Sequence, residues 1–440
     1  MRCLSALAVL PLLLATCFSG ESTRGLPCTR DESCGAGLLC VEGTCGGEPT
    51  QTFLSGLSVL FVMTDDPESG PLQARVAAAA DPFLKILEDA DLDFRVGVIS
   101  TAMAHPLCGP GQDGRLLLTS CLDRPEDFKN SELGLDVYTD ACDMRCGDGV
   151  QGEAAVPIET DVDEGPSRSR PWIQSGPLYE KNLYFNDLPP SGLIGCFLPQ
   201  GVAGCRYEQP LAALLRALER MRDPMDINYG FIDEGSLLVV IFVGRNNECS
   251  HAADAAEIFD PEGAQTFWPV MPDPDDPDAD PVPVTDPTPA ICWNAGAACS
   301  NLQAGQYFEC HTVDHAASGA PTNNASDAVL LPIATTAEAI DKIVTDRGAQ
   351  LLITGILGVP PEGETLTYTM PMPGDQDPFG IGPGCQDSDV EAAPPLRLLA
   401  FAEAIDAAGP FFPACSPAFG PGLSALAKQL VMRVQMPLPD

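Results

Sequence analysis

The sequence predicts an α/β fold in which a mostly parallel sheet carries helices on both faces. Continuous apolar runs, such as LSVLFVM at 57–63 and LLVVIFV at 237–243, are typical of strands that are buried on both faces. Segments with helical periodicity alternate with these runs, which is the pattern of a parallel sheet with crossover helices. The 440 residues suffice for one large domain or two ordinary ones.

The predicted elements alternate along the chain from residue 56 onwards. Helices are indicated by apolar side chains three or four residues apart, as at Leu72, Val76, Ala80 and Phe83. Strands are indicated by short apolar runs between turn residues. The predicted strands are 57–63, 93–101, 237–243 and 351–358, and the predicted helices are 71–90, 208–223, 337–348, 395–409 and 421–434.

Two long insertions interrupt this alternation, because loops between strands and helices usually have about 2–6 residues. Residues 105–195 contain four cysteines and are rich in proline, glycine and aspartate. Residues 259–325 begin with an acidic stretch, 259–290, in which frequent prolines predict a solvated extended loop. Its DPDDPDADP run lacks the glycine and the distal glutamate of a calcium-binding loop, so specific calcium binding is not expected there.

The charge excludes one class of partner. The chain has 23 lysines and arginines against 62 aspartates and glutamates, a formal net charge of −39. Such a surface repels phosphate backbones and anionic lipids, so we expect no nucleic-acid binding. The charge itself is explained by solubility, with affinity for cations or basic partners as the alternative.

Residues 1–17 have the features of a lipoprotein signal peptide. Arg2 is followed by an apolar stretch that is too short to span a bilayer, and the segment ends in LATC at Cys17. This ending resembles a bacterial lipobox, although Thr16 departs from the usual small residue, and an ordinary signal peptidase is the alternative. The resemblance implies export in a Gram-negative bacterium to the outer membrane, the periplasm or the cell surface. Membrane contact is expected only through a lipid on Cys17.

The other cysteines predict disulfide bonds, because they are even in number, dispersed, and belong to an exported chain. Four of them lie in a short module within 18–50, for which we favour the pairs 28–40 and 34–45 among several possibilities. Cys249 is predicted to be structural, with Cys205, Cys196 or a cysteine of the 292–310 cluster as its partner. The candidate disulfide cysteines are Cys28, Cys34, Cys40, Cys45, Cys108, Cys121, Cys142, Cys146, Cys196, Cys205, Cys249, Cys292, Cys299, Cys310, Cys385 and Cys415.

Three segments at predicted strand ends carry a family resemblance. They are LFVMTDDPES at 60–69, QGVAGCRYEQPL at 200–211 and VVIFVGRNNECS at 239–250. With the tail RLLAFAEAIDAAG, this set resembles the von Willebrand factor A (VWA) fold, in the large cysteine-containing versions found in bacterial surface lipoproteins. The resemblance covers a domain at 51–435 and implies a doubly wound, mostly parallel, VWA/Rossmann-like sheet.

In that family the three loops hold a divalent cation, and this sequence departs from the pattern in each of them. Thr64 stands where the family has an aspartate, and Arg245 stands where it has an acidic residue. A guanidinium cannot ligate a cation, so we expect Arg245 to replace the ion by pairing with Asp65 or Asp66, or else to point into water. No cofactor is therefore expected, with Mg²⁺ or Ca²⁺ as the weaker alternative. The loop residues of this degenerate metal site are Asp65, Asp66, Ser69, Val202, Arg245 and Glu248.

The function that the sequence favours is a non-enzymatic, cell-surface binding protein whose protein or envelope ligand is unknown. Motifs of the type HExxH or GxSxG and the P-loop motif do not occur in the chain. His251 lies two residues from Cys249, but no third group is evident that would orient it as a base. The alternative is a secreted or anchored hydrolase, which should show a deep pocket with perturbed titrating groups.

Overall fold

The structure is a computed structural model of the 440-residue chain. It divides into two compact units, one of Leu54–Met436 and one of Met1–Phe53 together with Pro437–Asp440. The residues that it describes are 39–41, 44–47, 53–146, 156–160, 163, 167–179, 181–183, 188–271, 282–283, 286–371, 379–417 and 419–437.

Several sequence-based predictions lie outside these described residues. They include the signal peptide, the lipid attachment at Cys17, the disulfide pairs 28–40 and 34–45, and the central part of the acidic 259–290 stretch. Within the small N-terminal unit, the described backbone forms an antiparallel hairpin in which Cys40 and Cys45 are register partners.

Strands and helices follow one another along the described residues. The strands are β1 (Leu39–Val41), β2 (Thr44–Gly47), β3 (Leu57–Met63), β4 (Phe94–Ser100), β5 (Lys129–Asn130), β6 (Leu135–Asp136), β7 (Pro157–Ile158), β8 (Arg168–Ser169), β9 (Ile173–Ser175), β10 (Leu237–Val243), β11 (Val270–Met271), β12 (Val282–Pro283), β13 (Ala297–Gln303), β14 (Gln306–Thr312), β15 (Gln350–Leu357), β16 (Tyr368–Thr369), β17 (Cys385–Gln386), β18 (Glu391–Ala392) and β19 (Ala408–Pro413). The helices are α1 (Gly70–Asp89), α2 (Ile194–Phe197), α3 (Pro210–Arg222), α4 (Ala290–Gly296), α5 (Ile333–Thr345), α6 (Leu396–Ala404) and α7 (Gly420–Gln435).

The central sheet of the larger unit has six strands in the order β19-β15-β10-β3-β4-β9. Five of them are parallel, and only the edge strand β9 runs antiparallel to its neighbour β4. The strands β3, β4 and β10 are buried along their whole length, which explains why they read as unbroken apolar runs. The predicted mixed α/β architecture with a mostly parallel central sheet is confirmed.

Helices cover both faces of this sheet. On one face, α3, α5 and α6 share a core with alternate residues of the central strands, such as Leu60, Val62 and Phe242. On the other face α1 meets β3, where the Phe61 and Phe83 rings lie edge to face at 6.5 Å. Helix α7 packs against α1. Because successive side chains of a strand point to opposite faces of the sheet, each central strand contributes residues to the core on both faces.

The region 395–409, which the periodicity predicts to be a single helix, is a helix followed by a strand, so that prediction is wrong. Helix α6 ends at Ala404, and the chain turns at Asp406, whose φ is +55°, before entering the edge strand β19. Pro410 has no N–H to continue a helical hydrogen-bond ladder, so it favours the strand at the sheet edge. The short strand β9 and the exposed hairpin of β13 and β14 are further elements that the sequence patterns do not reveal.

Six disulfide bonds crosslink the larger unit within the described residues. Cys249 is bonded to Cys292, which is one of the partners that the sequence leaves open for it. The bonds are Cys108–Cys205, Cys121–Cys142, Cys146–Cys196, Cys249–Cys292, Cys299–Cys310 and Cys385–Cys415. Three of these bonds hold the 105–195 insertion, either internally or to the segment 196–205 that follows it, and such crosslinks are expected of an exported chain.

Among the described helices, none combines the length and the apolar character that crossing a bilayer would require.

Packing in the core predicts that replacing a buried phenylalanine by alanine lowers the free energy of unfolding much more than replacing an exposed one. Phe242 is 1% exposed, and its ring lies edge to face with that of Phe401 at 6.3 Å. Replacing Phe242 by alanine should lower the free energy of unfolding by about 3–5 kcal/mol, because it removes buried area and leaves a cavity. The matched control is Phe308→Ala, at a position that is 61% exposed. This replacement should change the free energy of unfolding by about 0.5 kcal/mol at most. Urea unfolding measures both, and equal effects would contradict this packing.

Candidate functional site

The three loops singled out by the sequence meet at the carboxyl edge of the central sheet. Strands β3, β4 and β10 run in the same direction and in register, so their carboxyl ends lie side by side. Backbone hydrogen bonds continue the pairing into the loops, with Thr64 N–H donating to Val243 O at 2.9 Å. The loop 199–209 reaches the same edge, where Gly204 N–H donates to Asp65 O at 2.9 Å. This edge is where open α/β sheets bind ligands.

Arg245 lies between the loop that follows β3 and the loop that precedes α6. Its Nη1 is 2.9 Å from Asp66 Oδ1 and 2.7 Å from Glu68 Oε2. Its Nε donates to Glu391 O at 3.0 Å, and the Phe379 ring centroid lies 5.6 Å from its guanidinium carbon. The pairing with Asp66 is one of the two arrangements that the sequence predicts, and the side chain does not point into water.

The Arg245 ion pair is buried. Arg245 is 6% exposed and Asp66 is 3% exposed. Burial alone would lower the pKa of Arg245, but the carboxylates of Asp66 and Glu68 outweigh it and hold that pKa above its ordinary value. Buried ion pairs add little net stability over apolar residues, whereas removing one partner leaves an uncompensated charge at high cost. The pair therefore holds the two loops in one arrangement.

Glu208 is a site residue that the sequence reasoning missed. It is 2% exposed, and its Oε1 accepts hydrogen bonds from Thr64 Oγ1 at 2.7 Å and from Asn246 Nδ2 at 3.3 Å. Gly244 leaves room for it, since a Cβ there would lie 2.8 Å from Glu208 Oε2. Burial raises the pKa of Glu208 to about 8, and the nearby Asp66 carboxylate adds to this. The available signal was an acidic residue two positions before Pro210, the first residue of α3.

Asp65 faces away from Arg245. It is 7% exposed, its Oδ2 accepts a hydrogen bond from Ser100 Oγ at 2.6 Å, and its Oδ1 has no hydrogen-bond partner among the described atoms. Burial raises the pKa of Asp65 to about 6. Gly204 passes so close that a Cβ there would overlap the Asp65 carboxylate, which explains the glycine.

Asp65 lines a cavity of about 450 Å³ between the carboxyl ends of β3 and β4 and the loops 102–127 and 200–205. Arg124 also lines it, and the Arg124 fork donates to Pro199 O at 2.7 Å and to Gln200 O at 3.3 Å. The Arg124 Nε is buried and has no hydrogen-bond partner among the described atoms. The other lining residues include Ser100, Met103, Gln112, Leu117, Thr119, Asp127, Gln200 and Ala203.

The remaining predicted loop residues do not join the Arg245 cluster. Ser69 Oγ donates to Asp66 O at 2.6 Å and accepts from Gln73 Nε2, at the start of α1. Val202 is fully buried, and its N–H donates to Asp127 O. Glu248 pairs instead with Arg397, whose Nε lies 2.8 Å from Glu248 Oε2. Resemblance to a loop motif indicated the region of these residues, but their partners are set by the packing.

The histidines near this edge form an aromatic cluster. His105 stacks on Tyr207 at 4.5 Å and meets His251 edge to face at 5.5 Å. Burial lowers the pKa of His105 to about 3, so the ring is neutral at physiological pH. His105, Cys108 and Cys205 lie close enough together to suggest a metal site, but the two sulfur atoms are bonded to each other. A disulfide offers no thiolate ligand.

Comparisons with known proteins add little. No family model matches the chain, and no curated protein sequence matches it. Two solved structures that resemble it are crystal structures of the pilus adhesin SpaC from Lactobacillus rhamnosus GG, one in an open conformation. They are 9% identical, with TM-scores of 0.33 and 0.31, and the matches cover 87% of this chain but only 31% and 30% of the adhesin chains. At these scores the likeness carries no argument, and this chain spans about a third of those structures.

The raised pKa of Glu208 predicts a pH dependence of stability. Because folding favours the neutral form, the contribution of Glu208 is fully present below its ordinary pKa of 4.5 and is lost as the pH rises towards about 8. The neutral amide of Glu208→Gln should therefore flatten the fall in unfolding free energy across this window. Urea midpoints against pH measure the slope, with Glu219→Gln, an exposed position of α3, as the matched control. Equal slopes in the wild type and Glu208→Gln would refute the assignment.

Proposed function

We propose that this chain is an envelope-anchored surface binding protein with a VWA-like domain in which Arg245 has replaced the divalent cation. The observation that carries the proposal is the buried contact of Arg245 with Asp66 at the carboxyl edge of the sheet, to which the exposed Glu68 adds a second carboxylate. In this proposal ligands bind to the surfaces of the loops, and no metal ion bridges the ligand and the protein. The protein is not an enzyme in this proposal.

The strand order supports the VWA-like part of this proposal. Numbered by chain order within the sheet, the strands β9-β4-β3-β10-β15-β19 read 3-2-1-4-5-6, the order of doubly wound nucleotide-binding sheets. In such a sheet the order reverses between the first and fourth strands, here β3 and β10, and ligands bind in the crevice at that point. Arg245 and Asp66 lie in this crevice, at the ends of those two strands.

The residues present do not fit a divalent cation. A cation would need the oxygen atoms of Asp66 and Glu68, and both already contact Arg245 Nη1. The guanidinium keeps its charge and would repel an ion at this distance. Thr64, at the aspartate position of the family pattern, donates its hydroxyl to Glu208. In this proposal the guanidinium of Arg245 therefore provides the positive charge that a bound cation would otherwise provide.

A hydrolase is the second candidate, and one observation favours it. The cavity beside Asp65 combines a buried carboxyl group of raised pKa with the half-exposed carboxylate of Asp127. Paired carboxyl groups of unequal acidity are the machinery of glycoside hydrolysis. Asp127 is already engaged by Arg124, at 3.2 Å, and no histidine or lysine lines the cavity among the described residues. We therefore propose that the protein binds a ligand, and we keep hydrolysis as the second candidate function.

Metal titration tests the replacement of the cation by Arg245. Calorimetry of the full mature chain with Mg²⁺ or Mn²⁺ should show no binding in the micromolar range. Arg245→Ser should gain measurable binding, because it frees the carboxylates of Asp66 and Glu68 for a hard cation. The control is Arg222→Ser, at a half-exposed ion pair, which should behave as the wild type. Micromolar binding by the wild type would contradict the proposal, provided that circular dichroism shows all three proteins folded.

Membrane anchoring through Cys17 has its own test in a Gram-negative host. The wild-type chain should sediment with the membrane fraction, and the mature N-terminal peptide should carry the mass of a lipid. Cys17→Ser should move the protein to the soluble fraction, because a single lipidation site supplies the anchor. The control is Cys3→Ser, in the same segment. A mature protein that starts beyond Cys17 would refute the anchor.

A further inference from the structure

Three side chains with metal-binding atoms meet beside the cavity at the carboxyl end of β4. A ring nitrogen of His105 and the sulfur atoms of Cys108 and Cys205 lie within 4.8 Å of one another. The two sulfur atoms are joined in a disulfide bond, which has no thiolate to offer a metal ion. Opening that bond turns the crosslink into a set of two thiols and one imidazole.

A tight turn holds two of these three residues in place. His105 N–H donates to Gly109 O at 2.8 Å, and the N–H groups of Cys108 and Gly109 both donate to His105 O, at 3.1 and 2.9 Å. The His105 ring stacks on Tyr207, with the ring centroids 4.5 Å apart. None of these contacts involves the disulfide bond, so we expect the turn and the ring to keep their places when it opens.

His105 has the protonation state that a metal ligand needs. Its Nδ1 accepts a hydrogen bond from Leu107 N–H at 3.2 Å, so this nitrogen carries no proton and the ring is neutral. Neutral imidazole is the form of histidine that binds metal ions. An ion on Nδ1 would use the same lone pair, and an ion on Nε2 would move the proton to Nδ1. In either case the ring gives up only its hydrogen bond with Leu107.

Cys108 is the accessible end of the disulfide bond. It is exposed, and it lines both the cavity of about 450 Å³ and a neighbouring one of about 710 Å³. Every other cysteine of the six described disulfide bonds is buried or half-buried. Because thiol–disulfide exchange depends on access to a sulfur atom, a thiol should open Cys108–Cys205 before the other described bonds.

The donor set favours zinc over the hard cations. Thiolates and imidazole suit Zn²⁺, whereas Mg²⁺ and Ca²⁺ prefer oxygen ligands. Ligand atoms on one tetrahedral zinc ion lie about 3.5–3.8 Å apart, so a nitrogen within 4.8 Å of the sulfur atoms has to move by about 1 Å. The Cα atoms of Cys108 and Cys205 are 5.6 Å apart, so rotation about the side-chain bonds can separate the two sulfur atoms far enough.

We infer that reduction of Cys108–Cys205 creates a zinc site formed by His105, Cys108 and Cys205. Both cysteines line the cavity of about 450 Å³, so the fourth position, which three protein ligands leave open, faces that cavity. While the disulfide bond is closed, no ion binds there. The site is separate from the crevice that Arg245 occupies and does not depend on the proposed surface binding.

The reductant in this scheme is a dithiol. Its first thiolate attacks the sulfur atom of Cys108, which forms a mixed disulfide and releases the sulfur of Cys205 as a thiol. Its second thiolate then attacks the mixed disulfide and releases the sulfur of Cys108, so that the dithiol is oxidised to a disulfide and both cysteines are reduced. Zinc binding displaces the protons of the two thiols.

The first experiment tests the opening of the bond. The full mature chain is treated with increasing dithiothreitol, and free thiols are alkylated and located by mass spectrometry. Cys108 and Cys205 should be labelled at a lower reductant concentration than the cysteines of the other five described bonds.

The second experiment tests the metal site in the chain reduced at that concentration and freed of dithiothreitol under argon. Co²⁺, a coloured probe for zinc sites, should give a sulfur-to-metal charge-transfer band, and Zn²⁺ should abolish the band by displacing it. The unreduced chain should show no such band. The double variant Cys108→Ser/Cys205→Ser should lack the band, whereas the control Cys299→Ser/Cys310→Ser, which removes another described disulfide bond, should keep it.

A histidine variant separates the ligand from the surrounding aromatic cluster. His105→Phe keeps a ring to stack on Tyr207 but removes both nitrogens. It should weaken Zn²⁺ binding to the reduced chain by at least about tenfold, since even the outer partners of metal ligands contribute that much. The matched control is His251→Phe, whose ring meets His105 edge to face at 5.5 Å and which should bind as the wild type. Circular dichroism checks that each variant is folded.

Four outcomes would overturn the inference. One is that another described bond opens before Cys108–Cys205, and a second is that the reduced chain gives no charge-transfer band with Co²⁺. The third is a band of equal strength in Cys108→Ser/Cys205→Ser, and the fourth is equal Zn²⁺ affinity in His105→Phe and His251→Phe. The Mg²⁺ titration uses the unreduced chain, so its result is independent of all four.

Discussion

The carboxyl edge of the central sheet depends on one constraint, which is that a buried carboxyl group must either pair with a cation or bind its proton more tightly than it does in water. Asp66 is paired with Arg245, and Glu248 is paired with Arg397. Asp65 and Glu208 have no cationic partner within salt-bridge distance among the described residues, and burial raises the pKa of both. The buried acidic groups at this edge therefore fall into two kinds, those paired with an arginine and those whose pKa burial raises.

This constraint separates the edge into two regions that differ chemically. In the crevice between β3 and β10, Arg245 contacts one oxygen of Asp66 and one of Glu68. Beside β4, Asp65 and Arg124 line a cavity, and each has one buried atom without a hydrogen-bond partner among the described atoms. The first region holds two loops together through a buried ion pair, whereas the second surrounds an open cavity. Two consecutive aspartates, Asp65 and Asp66, thus contribute to different tasks because their side chains lie on different sides of the chain.

The success of the sequence predictions followed the strength of the local pattern. The strands 57–63 and 237–243 are observed with those bounds, and the helix predicted at 71–90 is α1, Gly70–Asp89. Apolar runs and helical spacing report burial, which dominates these elements. By contrast, β19 was hidden at the end of a helical pattern, and β9 has only three residues. Edge strands depend on the neighbour that they pair with, and the local sequence does not show that neighbour.

The sequence by itself determined the class of fold, the excess of acidic residues, the set of cysteines and the position of an arginine just beyond the strand 237–243. The tertiary structure alone decided which groups meet. It paired Arg245 with Asp66 and Glu68, bonded Cys249 to Cys292, and brought Glu208 to Thr64 across 144 positions of chain. The physical reason is that burial and periodicity are local properties of a chain, whereas pairing depends on distances that exist only once the sheet has formed.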